Sequence, residues 1–204
     1  MIAIIDYGLG NLGSVSNILN RLGYKNQISS EPEIINKADK IIIPGVGAFD
    51  NGMENLHRLG LVDFLNLKID TDKIPTLGIC LGAQLFLDRS EEGKLPGLGW
   101  VAGDVVRFKQ QEGEKLRIPH MGWSQVKEAK PSVLFEGMYE ESKFYFVHSY
   151  HFKLQNTSEE WLTSHYSYDF CSAFQKGNLV GVQFHPEKSH KYGMCLLKNF
   201  VEKF

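Results

Sequence analysis

The chain has 204 residues, 43% of them hydrophobic and 23% charged, a composition that excludes a disordered or collagen-like polypeptide. Lys and Arg number 22 against 24 Asp and Glu, a formal net charge of -2, so there is no basic footprint for nucleic acid or an anionic membrane surface. One domain over residues 1–204 is expected at this length, and no window approaches the roughly 18 apolar residues that a membrane span needs.

The opening MIAIIDYGLG has no basic segment ahead of its short apolar run, so no secretory signal is expected. Cys80, Cys171 and Cys195 are few, odd in number and far apart. That usage points to reduced thiols and a cytoplasmic protein. Without a CxxC pair, no structural zinc site is expected.

The first half alternates strand and helix. Met1–Asp6 reads as a buried strand. Leu12, Val15, Ile18, Leu19 and Leu22 then recur at helical spacing until Gly23. Lys40–Pro44 is a second buried strand. Glu54–Leu67 has a helical pattern interrupted around Gly60, Pro75–Ile79 is a strand leading to Cys80, and Leu81–Leu87 reads as a helix. This order predicts parallel strands with helices on both faces. The second half is different. Trp100–Phe108, Ser124–Lys127, Phe144–His148, Trp161–Tyr166, Phe170–Gln175 and Leu179–Phe184 are short runs rich in β-branched and aromatic residues. Lys191–Phe204 closes as a helix. The expected fold is α/β and flavodoxin-like: an open mixed, mainly parallel sheet, with extra antiparallel strands in the second half.

Two motifs carry chemistry. Gly78-Ile79-Cys80-Leu81-Gly82 has the form of the nucleophile elbow G-x-S-x-G with cysteine in place of serine. A tight strand-to-helix turn lifts the nucleophile above the sheet edge, and the flanking glycines permit strained backbone and close packing. The Leu81 N–H then lies where an oxyanion would develop. The plain alternative is a buried cysteine in a strand-to-helix joint. The second motif is His185-Pro186-Glu187 at the end of a strand. Residues i and i+2 of extended chain point to the same side, so the Glu187 carboxylate can orient the His185 imidazole. Its plain alternative is a strand-end turn with a solvated glutamate. Together the motifs supply a nucleophile, a base and an orienter. Their order, Cys-His-acid, differs from that of α/β-hydrolases.

These residues carry a resemblance. GICLG followed by Ala83-Gln84, and Gln183-Phe184-His185-Pro186-Glu187, resemble the class I (triad) glutamine amidotransferase family. Pro44–Phe49, Pro119–Trp123, Phe146–Tyr150 and the opening Asp6–Leu12 resemble the branch that serves as glutaminase subunits of imidazole glycerol phosphate synthases. The resemblance runs from Met1 to Phe204. It implies a triad of Cys80, His185 and Glu187, with a glutamyl thioester intermediate. It implies oxyanion donors at Leu81 and at Val46 or Gly47, in a segment that reorients its peptide. Gly45, Gln84, His148, Ser149 and Tyr150 match positions near the α-amino and α-carboxylate groups of glutamine. The implied partner is a (β/α)8-barrel cyclase subunit, which this chain is too short to contain, a barrel needing about 250 residues. Asn11, Met121, Trp123 and Lys188 match positions that face it. No cofactor is implied. The tail Lys188–Gly193 also looks like paralogues whose ammonia goes to a nucleotide-sugar amidotransferase, a third chain, in surface-polysaccharide synthesis. Gly13 stands where close relatives often have a basic residue.

Other readings compete. Gly8-Leu9-Gly10-Asn11-Leu12-Gly13 is a literal GxGxxG after a strand, with Glu31 and Glu33 at about the ~20-residue offset of a dinucleotide fingerprint. A catalytically silent interaction subunit is another class. The pairs His148/His151 and His185/His190 lack a third metal ligand at useful spacing. The aromatic run Tyr139–Tyr150 has Lys143 but no interleaved basic residues in number, and reads as sheet packing.

Overall fold

The computed structural model describes residues 1–110 and 116–204. The parallel half holds β1 (Ile2–Ile5), α1 (Leu12–Arg21), β2 (Asn26–Ser29), α2 (Pro32–Ile35), β3 (Lys40–Gly45), α3 (Phe49–Arg58), α4 (Leu61–Asp70), β4 (Thr76–Cys80) and α5 (Leu81–Gln84). Then follow β5 (Arg89–Ser90), β6 (Gly103–Arg107), β7 (His120–Gln125), β8 (Lys127–Glu128), β9 (Lys143–His148), β10 (Tyr150–Leu154), β11 (Glu160–Tyr166), β12 (Tyr168–Lys176), β13 (Leu179–Val182) and α6 (His190–Lys203). The main sheet runs β2-β1-β3-β4-β13-β12-β10-β6-β5, with β11 and β8 branching from β12. Its first five strands are mutually parallel. Antiparallel pairs β13–β12, β12–β10 and β10–β6 extend it. The expected mixed, mainly parallel sheet is present. Strands β7 and β9 form a separate antiparallel ribbon.

The isoleucine-rich strands are buried on both faces, as parallel strands between helices must be. Alternation divides them. Ala3, Ile5, Ile41 and Ile43 face the core that includes Leu56, Leu61 and Leu65 of α3 and α4. Ile2, Ile4 and Ile42 face Val15 and Leu19 of α1 and Leu197 and Phe200 of α6. Among the described residues no helix is long and apolar enough to cross a membrane.

Several boundaries depart from expectation. The interruption expected around Gly60 is present, with a left-handed φ of 64° separating α3 from α4, but the helical stretch starts earlier, at Phe49, and ends later, at Asp70. The helix expected over Leu81–Leu87 stops at Gln84. The carbonyls of Leu85 and Phe86 accept from Leu98 and Val101, so the chain turns into the following loop instead of continuing i→i+4 bonds. The stretch Ser124–Lys127 falls in two elements of different sheets, β7 and β8. Strands β2, β5 and β10 and helix α2 come in addition to those read from the sequence.

Candidate active site

Parallel pairing puts the carboxyl ends of β3, β4 and β13 at one edge of the sheet, where open α/β folds bind their ligands. Register does the rest. Gly45 lies opposite Cys80, and Val182 lies opposite Ile79, which sets Gln183 beside Cys80. Gln183 Nε2 donates to Cys80 Sγ at 3.7 Å, and His185 follows two residues on.

Cys80 takes φ 53°, ψ −113° at the strand-to-helix turn, a conformation that non-glycine residues rarely adopt. The glycines around it make the turn possible. A Cβ on Gly82 would stand 1.8 Å from the Ile43 carbonyl oxygen, and one on Gly78 would stand 2.6 Å from Ala83 Cα. Cys80 is buried but opens onto a cavity of about 240 Å³, with Val46, Leu81, Gln84, Pro119, Ser149 and Tyr150 among its lining residues. Gly47, Val147, His148 and Glu92 complete that wall. Val46 is 41% exposed, and Gly47 has φ 123°, so the segment after β3 is held by little side-chain packing. Gly45 is packed behind the cavity and not on its wall, where an added Cβ would fall 2.3 Å from Tyr7 Oη.

His185 Nδ1 lies 2.7 Å from Glu187 Oε1, and the two side chains are 1% and 2% exposed. The carboxylate can only accept, so Nδ1 carries the proton and Nε2 is left toward the sulfur. Burial opposes charge on His185. Hydrogen bonding to Cys80 and Glu187, together with their negative charge, outweighs it and raises the imidazole to about 10. Nε2 makes no well-formed hydrogen bond among the described residues, so its contact with Cys80 is a loose one. The main chain of His185 is fixed by its N–H to the Tyr145 carbonyl and by Ser189 Oγ on its own carbonyl, at 2.9 and 2.6 Å. Tyr7, fully buried beside the site, has its phenol raised by burial and by Cys80 and stays a neutral hydroxyl.

The remaining expected positions are placed as follows. Gln84 Nε2 donates to Gln183 Oε1 at 3.0 Å and to the Tyr150 carbonyl at 3.3 Å, so the Gln84–Gln183 amide pair braces the floor below the sulfur. His148 lines the cavity, but both of its ring nitrogens are engaged inside the protein. Asn11 and Lys188 are exposed, as are Met121 (62%) and Trp123 (43%). Trp123 stacks on His190 at 5.5 Å, and Lys188 Nζ lies 5.9 Å from the Tyr145 ring. In the glycine turn after β1, the Asp6 carboxylate accepts the Gly8 N–H at 3.0 Å. A pyrophosphate approaching that turn would meet a carboxylate, which argues against the dinucleotide reading.

Two residues escaped the sequence reading. Gln183 belongs to a quoted motif, but its contact with sulfur comes from register. Glu92 is the charged side chain on the cavity wall among the described residues. Its Oε2 accepts the Phe49 N–H at 2.9 Å, and Asp50 holds the next turn through the N–H groups of Lys94 and Leu95. Nothing local in the Arg89-Ser90-Glu91-Glu92-Gly93-Lys94 stretch marks one glutamate over the other.

The sequence model of the family described as glutamine amidotransferase class-I matches residues 3–204. The chain is 50% identical over 203 residues to "Imidazole glycerol phosphate synthase subunit HisH 2" of Methanococcus maripaludis, covering 100% of both chains. It is 48% identical over 202 residues to the subunit of the same name of Pseudomonas aeruginosa, covering 99% of both. Among solved structures, a glutamine amidotransferase superposes with a TM-score of 0.77 at 18% identity, covering 99% of this chain and 98% of that one. The glutaminase domain of Trypanosoma brucei CTPS, solved with bound acivicin, superposes with a TM-score of 0.63 at 18% identity, covering 100% and 94%. Those two likenesses establish the fold. With the family match spanning nearly the whole sequence and a cysteine elbow facing a buried His–Glu pair, this chain belongs to the class I glutamine amidotransferase family.

Proposed function

We propose that this chain is a glutaminase subunit that hydrolyses glutamine and passes ammonia to a (β/α)8-barrel cyclase partner for imidazole glycerol phosphate synthesis in histidine biosynthesis. The observation that carries it is Cys80 on a strained elbow, facing a buried His185–Glu187 pair at the mouth of a cavity of about 240 Å³.

Cys80 sulfur attacks the side-chain amide carbon of glutamine as its proton passes to His185 Nε2. The oxyanion is held by the N–H of Leu81 and, after reorientation of the glycine-bracketed segment, by that of Val46 or Gly47. His185 protonates the departing nitrogen, which leaves as ammonia, and a glutamyl thioester remains. Water, deprotonated by His185, then attacks the thioester, releasing glutamate and restoring the thiol. Glu187 fixes the imidazole orientation and offsets its charge. Gln84, Ser149 and Tyr150 border the α-amino and α-carboxylate end of the substrate, and Glu92 is the countercharge for the α-ammonium. Glu92→Gln is therefore expected to raise KM for glutamine by about tenfold while kcat holds, since a charge-assisted contact made equally in ground and transition states is lost. Steady-state kinetics in glutamine check this, and an unchanged KM would remove Glu92 from the substrate site.

Ammonia released into water would be protonated, so a partner must cover the site. Asn11, Met121, Trp123 and Lys188 form the partner-facing surface, and exposed Met and Trp on one side of β7 are the residue types that anchor interfaces. The relatives' names as synthase subunits favour the barrel cyclase. The test is glutamate release by the chain with its barrel partner, with and without the histidine-pathway nucleotide acceptor. Stimulation of tenfold or more, roughly the size of a typical coupling between sites, is expected. Glutaminase activity that ignores the acceptor would shift the ammonia's destination to a nucleotide-sugar amidotransferase chain. No glutamate release in any combination would overturn the glutaminase reading.

A further inference from the structure

Histidines 120 and 148 lie directly opposite each other on the β7–β9 ribbon. His120 Nδ1 and His148 Nε2 are 3.0 Å apart. His148 Nδ1 lies 2.7 Å from the Tyr150 carbonyl oxygen, and His120 Nε2 lies 2.8 Å from Ser124 Oγ. The direction of every bond follows from one fact: a carbonyl oxygen only accepts. His148 therefore carries its proton on Nδ1, and its Nε2 is an acceptor. His120 must donate from Nδ1 to reach it. That leaves His120 Nε2 as an acceptor, and the Ser124 hydroxyl is its donor. The chain Ser124→His120→His148→Tyr150 closes in one direction, with every ring nitrogen paired.

The surroundings keep both rings neutral, as this pattern requires. Burial pushes His148 down to about 3 and His120 down to about 4. His120 is sandwiched between Tyr166 at 4.1 Å and Phe146 at 4.9 Å, and the Phe108 ring lies 5.2 Å from His148.

Resting on the glutaminase reading, we infer that His120 is a positioning residue for the glutamine pocket: its Nδ1–H locks His148 in the Nδ1–H tautomer, and that tautomer pins the Tyr150 carbonyl and the adjoining Ser149 wall. Without the donor at His120, His148 Nε2 is a buried acceptor with no partner, a cost that offsets the pull of the Tyr150 carbonyl and lets the proton move to Nε2. A lone pair on Nδ1 would then face the Tyr150 carbonyl oxygen at hydrogen-bond distance, and two acceptors repel. The Tyr150 carbonyl also anchors Gln84 Nε2, so its displacement is felt on two sides of the cavity. The outer end of the chain is the strand that exposes Met121 and Trp123, since β7 alternates these with His120, Gly122 and Ser124. A shift of β7 under a bound partner is thereby transmitted to the substrate wall through two hydrogen bonds.

The test has two arms. Long-range 15N–1H correlation on the unmodified full chain reports tautomers directly, and both His120 and His148 are expected as Nδ1–H. His148 found as Nε2–H overturns the lock. The second arm is kinetic, on the complex with its barrel partner. His120→Phe keeps the stacking with Tyr166 and Phe146 but removes the donor, and is expected to raise KM for glutamine about tenfold with kcat within roughly threefold. His120→Asn, which places an amide N–H near the former Nδ1, is expected to restore KM to within about threefold. A His120→Phe KM within twofold of wild type overturns the inference. So does a His120→Asn KM no better than that of His120→Phe. If the substituted chains do not fold, the tautomer measurement on the unmodified chain still decides. An unmodified complex that releases no glutamate defeats the glutaminase reading instead, and leaves the tautomer result standing.

Discussion

Cys80→Ala is expected to lower glutamine-dependent turnover of the complex by at least about a thousandfold while synthesis from added ammonia stays within about twofold of wild type. The sulfur is the nucleophile of the proposed reaction, and no other cysteine lies at the site: Cys171 is in β12 and Cys195 in α6. Ammonia supplied in solution needs neither elbow nor triad. Retained glutamine use would sink the nucleophile assignment, and loss of both activities would point to a collapsed interface. His185→Ala belongs to the same class. Glu187→Gln is expected to cost less than His185→Ala, by roughly ten- to a hundredfold, because orienting the base matters less than being the base. The Cys80 variant also has a spectroscopic consequence. Its removal deletes the sulfur contact and a negative charge that raise His185, leaving burial opposed by Glu187 alone. The His185 titration followed by NMR should therefore move down from about 10. The sign for stability follows. A folded-state value raised above the ordinary 6.5 contributes stability that is fully present below that pH and is lost as pH rises to about 10. Wild type should thus lose more stability across that window than Cys80→Ala does.

Gly82→Ala is expected to destabilise the chain by on the order of 4 kcal/mol, or to prevent folding outright. The added methyl would stand 1.8 Å from the Ile43 carbonyl oxygen and 2.7 Å from its carbon. Both are main-chain atoms of β3, a central strand bonded on one side to β1 and on the other to β4. No flexible side chain can yield, so either α5 lifts off the sheet or β3 shifts, and each displaces Cys80. In a chain of this size, 4 kcal/mol corresponds to a Tm lower by about 8–16 °C. Gly13→Ala is the control, because an added Cβ there meets nothing within 4 Å and the residue lies in α1. A Gly82→Ala protein with wild-type Tm would show that the elbow does not need this close approach.

How much of this was legible in the sequence depended on whether a feature is local. Strands β1, β3, β4 and β13 are short apolar runs, and burial on both faces imposes that pattern. Strand β2 is not legible because three of its four residues, Asn-Gln-Ile-Ser at the sheet edge, are polar, and only Ser29 is buried. The helix after Cys80 was read too long because Leu85, Phe86 and Leu87 are good helix residues. Hydrogen bonds from the distant loop at Leu98 and Val101 end it. The sequence places Gln84 and His148 near the glutamine; the structure has both on the cavity wall, with Gln84 Nε2 held by Gln183 and Tyr150 and both His148 ring nitrogens held by His120 and Tyr150.

By itself the sequence determined the elements whose physics is contained within a few residues: the glycine-flanked cysteine turn, the His-x-Glu pair on extended chain, and the apolar strands that must be covered by helices. Only the tertiary structure decided what touches what across the sheet. It set Gln183 against the sulfur, brought Glu92 over the cavity through an N–H on α3, and joined Ser124, His120, His148 and Tyr150 into one line of hydrogen bonds. The reason is that strand register and loop closure are set by the sum of packing over the whole core, and a sequence window of a few residues does not carry that sum.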